Sequence, residues 1–397
     1  MTRVRLIAAG SSLAALGLLA LFLRAGSEPP GTTSAPLPTR ATARVEPSRP
    51  LGPGALEGEP AATPPNESDT KRLTRIAETS ADPRVIEAAF ADILTTYAAR
   101  STKKPGPDAD LERAIVKHVG SDRPGTARAA LEAARIALMA AEPRPGVTSA
   151  IVDLSSADRP APRRYAALGA LNLLRPDRRD ASVLSAFERA LDAKQPELVS
   201  FALLALSQSR ASLEAAPEAT RTGIARRVVT LLGHYDPGVR GHALLVLSEI
   251  RQLATFEERY QAAKRALTDR DAYVRAQGAE LLGRSGEPLA IHLLIEHVRD
   301  LSPARYELRG FDELDGRPGT LVHEVPGRKR VAEAVLFAVL SLSRVLDGSD
   351  PLVLTLGGPL ASDALVLENA ELARSWYDVR KQRIPTAPLQ PSPPPGG

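Results

Sequence analysis

The chain contains no cysteine. That excludes disulfides, thiol catalysis, cysteine-ligated zinc and a lipid-modified cysteine near the amino end. It is compatible with a reducing cytoplasm and an oxidising envelope and fits an exported location slightly better, a claim that the export signal must carry. Aromatic residues are scarce, at 4%. Ala, Leu and Val therefore carry the apolar content, which suits many thin helix–helix contacts better than a few large buried rings. Lysine is rare, with eight residues, and the formal net charge is only +4. A general nucleic-acid binder carries a stronger and more clustered excess, so no nucleic acid is expected as a partner. Missing as well are a Gly-rich phosphate loop, a Ser-nucleophile elbow and a metalloprotease signature. No catalytic residue, cofactor site or metal site is expected.

Charge is also missing, more locally, from Leu6 to Leu23, a run flanked by Arg3 and Arg5 before it and Arg24 after it. At about 1.5 Å per residue the run reaches roughly 27 Å as a helix, close to the thickness of a bilayer core. One reading is a single-pass anchor whose amino end the two leading arginines hold inside. Another is a cleaved signal peptide, with Ala25-Gly26-Ser27 supplying the small residues. A buried soluble helix is the plain alternative. The first two readings place the remainder across a membrane. They imply a bacterial inner-membrane protein with its folded part on the periplasmic side, or a secreted or periplasmic protein after cleavage.

Residues 25–66 are rich in Pro, Gly, Ser, Thr and Ala and show no apolar period. Such a segment cannot bury enough apolar surface to offset its ordering entropy, and it reads as a disordered spacer. Residues 385–397 form a second Pro-rich tail, either a frayed end or a short ligand for an aromatic groove.

Between these segments six stretches read alike, 35 to 41 residues apart, beginning at Asp82, Asp122, Asp158, Gln195, Asp236 and Asp271. Each is a polar turn followed by an Ala/Leu-rich helix. Val239, Ala243, Val246 and Leu247 recur as Val274, Gly278, Leu281 and Leu282, one apolar stripe at helical period. Val199, Leu203 and Leu206 follow it, as do Val85, Ala89 and Ile93. Pro83, Pro196 and Pro237 fit first helical positions, where a missing N–H costs nothing, and Asp82 and Asp236 precede two of them as caps. A second set of helices is expected at about 69–79, 109–119, 146–155, 181–193, 218–232, 255–268 and 288–299, each forming an antiparallel hairpin with the next copy. A period in this range signals a stacked solenoid.

The turn-plus-helix pattern in Asp236-Pro237-Gly238-Val239-Arg240, with Ala243 and Leu247, resembles HEAT repeats, in particular the bacterial phycobilisome-lyase-like kind. Asp271 to Leu282 matches with Gly278 in place of Ala. The resemblance covers about residues 68–345. It implies an all-α, right-handed α-solenoid in which the turn Asp and helix Arg of neighbouring repeats pair. Asp236, Arg240, Asp271 and Arg275 are then structural. The chromophore-lyase side of the family is not matched by any bilin site here.

The period breaks after Arg299. Residues 302–327 read as a small β-hairpin inserted within the last repeat, with Tyr306 and Phe311 before a turn-rich DELDGRPG and Leu321 beyond it. Insertions into repeats map to one edge and often carry specific contacts. The insertion is either a cap over the last apolar face or a binding element, and Tyr306, Phe311, Asp312, Glu313, Asp315 and His323 are the candidate partner-binding residues. The returning helix is expected from about Arg328, completing a solenoid over 67–345. A closing segment, 346–384, carries Trp376 and Tyr377 in a helix from about Asp363. His297, His323 and Glu324 could form at most an adventitious metal site, and His234 and His242 read as surface or capping residues. The arginine clusters, such as Arg163-Arg164 and Arg226-Arg227, read as solvated faces, with a strip for cell-wall polymer or lipid headgroups as the alternative. The sequence thus points to a non-enzymatic, membrane-tethered scaffold for a protein partner. An accessory factor or metal-dependent enzyme on the same scaffold is the remaining possibility.

Overall fold

The structure is a computed structural model, and it describes residues 67–99, 109–140, 144–311, 318–324, 330–348, 352–354 and 362–388. The expected anchor at 6–23, the linker at 25–66 and the end of the tail at 389–397 lie outside the described residues. Among those described, no helix is long and apolar enough to cross a membrane.

Six helical hairpins follow one another: α1 (Glu67–Thr79) with α2 (Pro83–Ala99), α3 (Ala109–Val119) with α4 (Pro124–Leu138), α5 (Pro145–Leu154) with α6 (Ala161–Leu171), α7 (Ala181–Ala190) with α8 (Pro196–Ser207), α10 (Glu218–Leu231) with α11 (Pro237–Glu249), and α12 (Phe256–Leu267) with α13 (Ala272–Ser285). A short extra helix, α9 (Arg210–Ala215), sits between the fourth and fifth hairpins. The expected helix over 288–299 is instead two short 3₁₀ turns around a single α-turn, α14 (Ile291–Leu294). The returning helix α15 spans Val331–Leu346 and the closing helix α16 spans Asp363–Arg380.

The second helices stack on one another in series, α2 on α4, α4 on α6, and so on to α13 on α15. Small residues set the close approach. A Cβ on Gly283 would lie 2.7 Å from the Ala338 Cβ and 2.8 Å from its Cα, so α13 and α15 meet almost backbone to backbone. The core is Ala, Leu and Val throughout, as the composition implies. In α2 the buried stripe runs through Ile86, Ala89, Phe90 and Ile93, while Val85 is largely exposed. Of the expected stripe Val85, Ala89 and Ile93, the last two are buried, and Ile86 takes the place expected of Val85.

Asp236 and Asp271 cap their own helices, accepting from the amides of Val239 (3.0 Å) and of Tyr273 and Val274 (2.9 and 3.4 Å). The helices after Asp122 and Asp158 begin later, with Arg123 and Pro160 in the cap position and no side-chain capping bond. The arginine ladder is real, but its acids are not the capping aspartates. Arg240 donates to both Asp269 oxygens (2.9 and 2.7 Å) and to the carbonyls of His234 and Tyr235. Arg275 repeats this with Asp300 (2.7 and 3.4 Å) and the carbonyls of Asp269 and Arg270. A carboxylate already turned back on its own amides is not free to reach a neighbouring repeat. Asp269, two residues before the capping Asp271, takes that role for Arg240, and Asp300 takes it for Arg275.

Burial alone would raise the pKa of Asp269, but its hydrogen bonds from Arg240 hold it below the ordinary range; Asp300 behaves the same way with Arg275. A carboxylate lowered on folding stabilises the fold above its unfolded pKa, near 4, and loses that contribution as pH falls through the folded value. The melting temperature is therefore expected to fall as pH drops below about 4. In an Asp269→Asn, Asp300→Asn double variant, melts across this pH range should start lower at neutral pH and decline less on acidification.

Candidate functional edge

The insertion forms two antiparallel strands, β1 (Arg305–Phe311) and β2 (Pro318–Glu324), paired from Arg305↔Glu324 to Phe311↔Pro318. The expected hairpin is present. Its path is what the sequence did not reveal. β1 runs back along the array and touches α13, α11, α8 and α6 in turn. An element inserted in the last repeat thus bridges four earlier second helices.

Aromatic side chains at two points dock it. At the first, the Tyr306 hydroxyl donates to the Asp236 carboxylate (3.1 Å) at the entrance of α11. Its ring covers Gly238, where a Cβ would stand 2.0 Å from a ring carbon. Glycine inside a helix costs about 1 kcal/mol relative to alanine, and here it is the residue that lets the tyrosine in. Tyr273 lies 5.8 Å away, and His242 packs edge-on to both rings. His242, expected at the surface, is fully buried. Burial, then the Asp236 charge, pushes the Tyr306 hydroxyl far above the ordinary tyrosine range. It therefore stays a donor to Asp236 at any physiological pH.

At the second point Gly310 lies over the Tyr165 hydroxyl end, and the Phe311 ring meets Tyr165 edge-on at 5.8 Å. Tyr165 rests in turn on Phe201 at 5.1 Å. Burial, then the nearby Glu197 carboxylate, pushes the Tyr165 hydroxyl up to about 12. A chain poor in aromatics thus concentrates Tyr165, Phe201, Tyr273, Tyr306 and Phe311 along one docking line.

Of the six candidate partner-binding residues, two are engaged within the chain. Tyr306 and Phe311 serve the array itself, Tyr306 through Asp236 and Gly238 and Phe311 through Tyr165. His323 is paired in register with Tyr306 through the backbone. Asp312, Glu313 and Asp315 lie outside the described residues. Sequence reasoning missed Tyr165, Phe201, Gly238 and Gly241. The two glycines within α11 were the available signal, since Gly241 also makes room, for the Tyr273 ring.

The other candidate chemistry disperses. His292 accepts or donates through Nδ1 to the Tyr377 hydroxyl at 2.9 Å, tying α14 to α16. Trp376 is buried there, with the Arg380 guanidinium 5.4 Å above its ring. Among the described residues no three His, Asp or Glu side chains come together to hold a metal. Arginines of the basic clusters meet acids: Arg163 pairs with Asp122, Arg227 with Glu188 and Asp192, and Arg330 with Glu333 and Asp363.

No protein-family profile matches the sequence, and no curated protein matches it. Solved structures do. The Kap95:Nup1 complex aligns with 80% of this chain and 44% of that chain, at 12% identity and a TM-score of 0.50. Importin beta aligns with 79% of this chain and 43% of its own, at 13% identity and a TM-score of 0.48. The phycocyanin lyase complex of CpcE and CpcF from Nostoc aligns over 81% of this chain and 99% of that one, at 14% identity and a TM-score of 0.33. The fold is a HEAT- or armadillo-type α-solenoid. The chain spans less than half the length of the importin-type chains it matches.

Proposed function

We propose that this chain is a non-enzymatic scaffold, a right-handed solenoid tethered to a bacterial inner membrane by residues 6–23 and holding a protein partner on its periplasmic side. The observation that carries this reading is the hairpin strapped across four successive second helices. It joins separate repeats into one edge, fixed by the Tyr306–Asp236 bond and the Phe311–Tyr165 contact. A rigid edge of this kind presents side chains from several repeats at set spacings, which is what recognition of an extended partner needs. Solenoids of this type hold a second protein in the Kap95:Nup1 complex. Arg163, Arg227 and Arg330 already face acids, which argues against a polyanion bound across all the basic clusters as the main ligand.

The docked rings and the acidic tip divide the labour. Tyr306 and Phe311 hold the insertion down, and the polar residues of 312–319 are assigned to partner recognition. Replacing 312–319 with a short Gly-Ser turn is expected to leave the melting temperature nearly unchanged and to abolish affinity capture of the partner from solubilised membranes. Unchanged capture together with a collapsed fold would make the insertion a cap only.

A further inference from the structure

The entrance of α6 lacks both carboxylates that serve the entrance of α11. Aligning Ala167, Leu168 and Leu171 with Ala243, Leu244 and Leu247 places Arg164 where Arg240 stands, and Pro160 where Asp236 stands. Asp236 caps α11, and Pro160 has no side chain with which to cap α6. Asp269, two residues before the cap of the following second helix, pairs with Arg240. The residue two before Gln195, the cap of α8, is Ala193, which is only half-buried.

Arg164 is consequently an arginine of the ladder without its acid. It is 9% exposed, makes no side-chain hydrogen bond or ion pair among the described residues, and its buried Nε has no partner among them. Burial alone lowers its pKa. A buried Nε–H donor without a partner is costly, and Arg164 sits in the first turn and a half of a helix that has no side-chain cap, the positive end of the dipole. Both groups call for the same chemistry, a carboxylate. Arg179, the other deeply buried arginine, offers no such site, because all five of its donors are already used on carbonyl and side-chain oxygens.

We propose that Arg164 at the entrance of α6, whose counterpart of Asp269 is Ala193, is a carboxylate-binding site, completed by an Asp or Glu side chain of the protein partner. The proposal rests on the scaffold reading above and locates one contact of that partner. Tyr165, the next residue in α6, meets the Phe311 ring at the end of β1, which puts this helix entrance at the far end of the strapped hairpin. The partner would thus cross the edge with an acidic residue at the α6 end.

The test uses the full chain and a small probe, N-acetyl-aspartate N-methylamide, against its asparagine counterpart at constant ionic strength. The Nε–H signal of Arg164, assigned by its loss in Arg164→Lys, should shift saturably with the aspartate probe. The asparagine probe should bind at least about tenfold more weakly. Ala193→Asp should restore the missing rung, raise the melting temperature and remove the response to the probe. No shift, an equal shift with asparagine or with sulfate, or a full response in Ala193→Asp would overturn the proposal. Should Ala193→Asp fail to fold, Arg164→Met serves in its place and must likewise abolish probe binding measured by calorimetry. Because no partner is needed, failure here leaves the hairpin-edge reading standing, and loss of that reading would not by itself move the Arg164 signal.

Discussion

Leu247→Asp should lower the stability of the array by about 4 kcal/mol, the largest effect expected of any single change here. Leu247 is 1% exposed on α11, which is clasped between α8 and α13. A carboxylate at that position loses its water and gains no donor, and removal of the leucine opens a void as well. Leu282→Asp, one repeat on and also 1% exposed, should cost a similar amount. The check is a denaturant melt read by far-ultraviolet circular dichroism. A midpoint equal to that of the parent chain would mean that the stripe does not face the neighbouring repeats.

Arg179→Met should cost about 3 kcal/mol although it places a more apolar residue in a buried position. The Arg179 guanidinium is 3% exposed. It donates to the carbonyls of Asn172 (2.8 Å), Leu174 (3.1 Å) and Ala205 (2.7 Å), and to the side chains of Asn172 and Ser209. Asn172 ends α6 and Ala205 lies in the last turns of α8, where carbonyls have no partner within the helix. One cation thus closes two helix ends, with the favourable sign for their dipoles, and the Phe187 ring flanks it at 5.8 Å. Burial pushes its pKa down to about 10, so it remains charged at neutral pH. Methionine fills the volume but leaves buried carbonyls without donors. Arg179→Lys should recover only part of the loss, since an ammonium cannot span both helix ends. A melt of Arg179→Met matching the parent would show that water replaces the guanidinium at no cost.

What the sequence revealed and what it hid follow from the range of the interactions. The α-helical hairpins were legible because Val239, Ala243, Val246 and Leu247 encode burial locally, at helical period, and the next repeat says the same thing again. The hairpin was legible for the same reason: its turn chemistry lies between short apolar runs. Its course over the array was not, because Tyr306 reaches Asp236 across 70 residues of chain, and a single long-range bond leaves no periodic trace. The ladder was half legible. Arg240 and Arg275 stood out, but assigning them to capping aspartates ignored the competition between a local amide and a distant guanidinium, which the local amide wins. The uneven repeats at Asp122 and Asp158 were read as copies of one turn, when Pro124 and Ala161 in fact start their helices later. That displacement strips α6 of its cap, while Ala193, in the place of Asp269, leaves Arg164 without an acid.

The central claim, that the strapped edge is where the partner sits, is tested most directly by site-specific photo-crosslinking in membranes. A photoreactive residue is placed in turn at Glu307, exposed on β1, and at Lys264, exposed on the outer face of α12. Tethered scaffolding through the hairpin edge predicts a discrete adduct from position 307, lost when residues 312–319 are replaced, and none from 264. An adduct from 264 with none from 307 would contradict it.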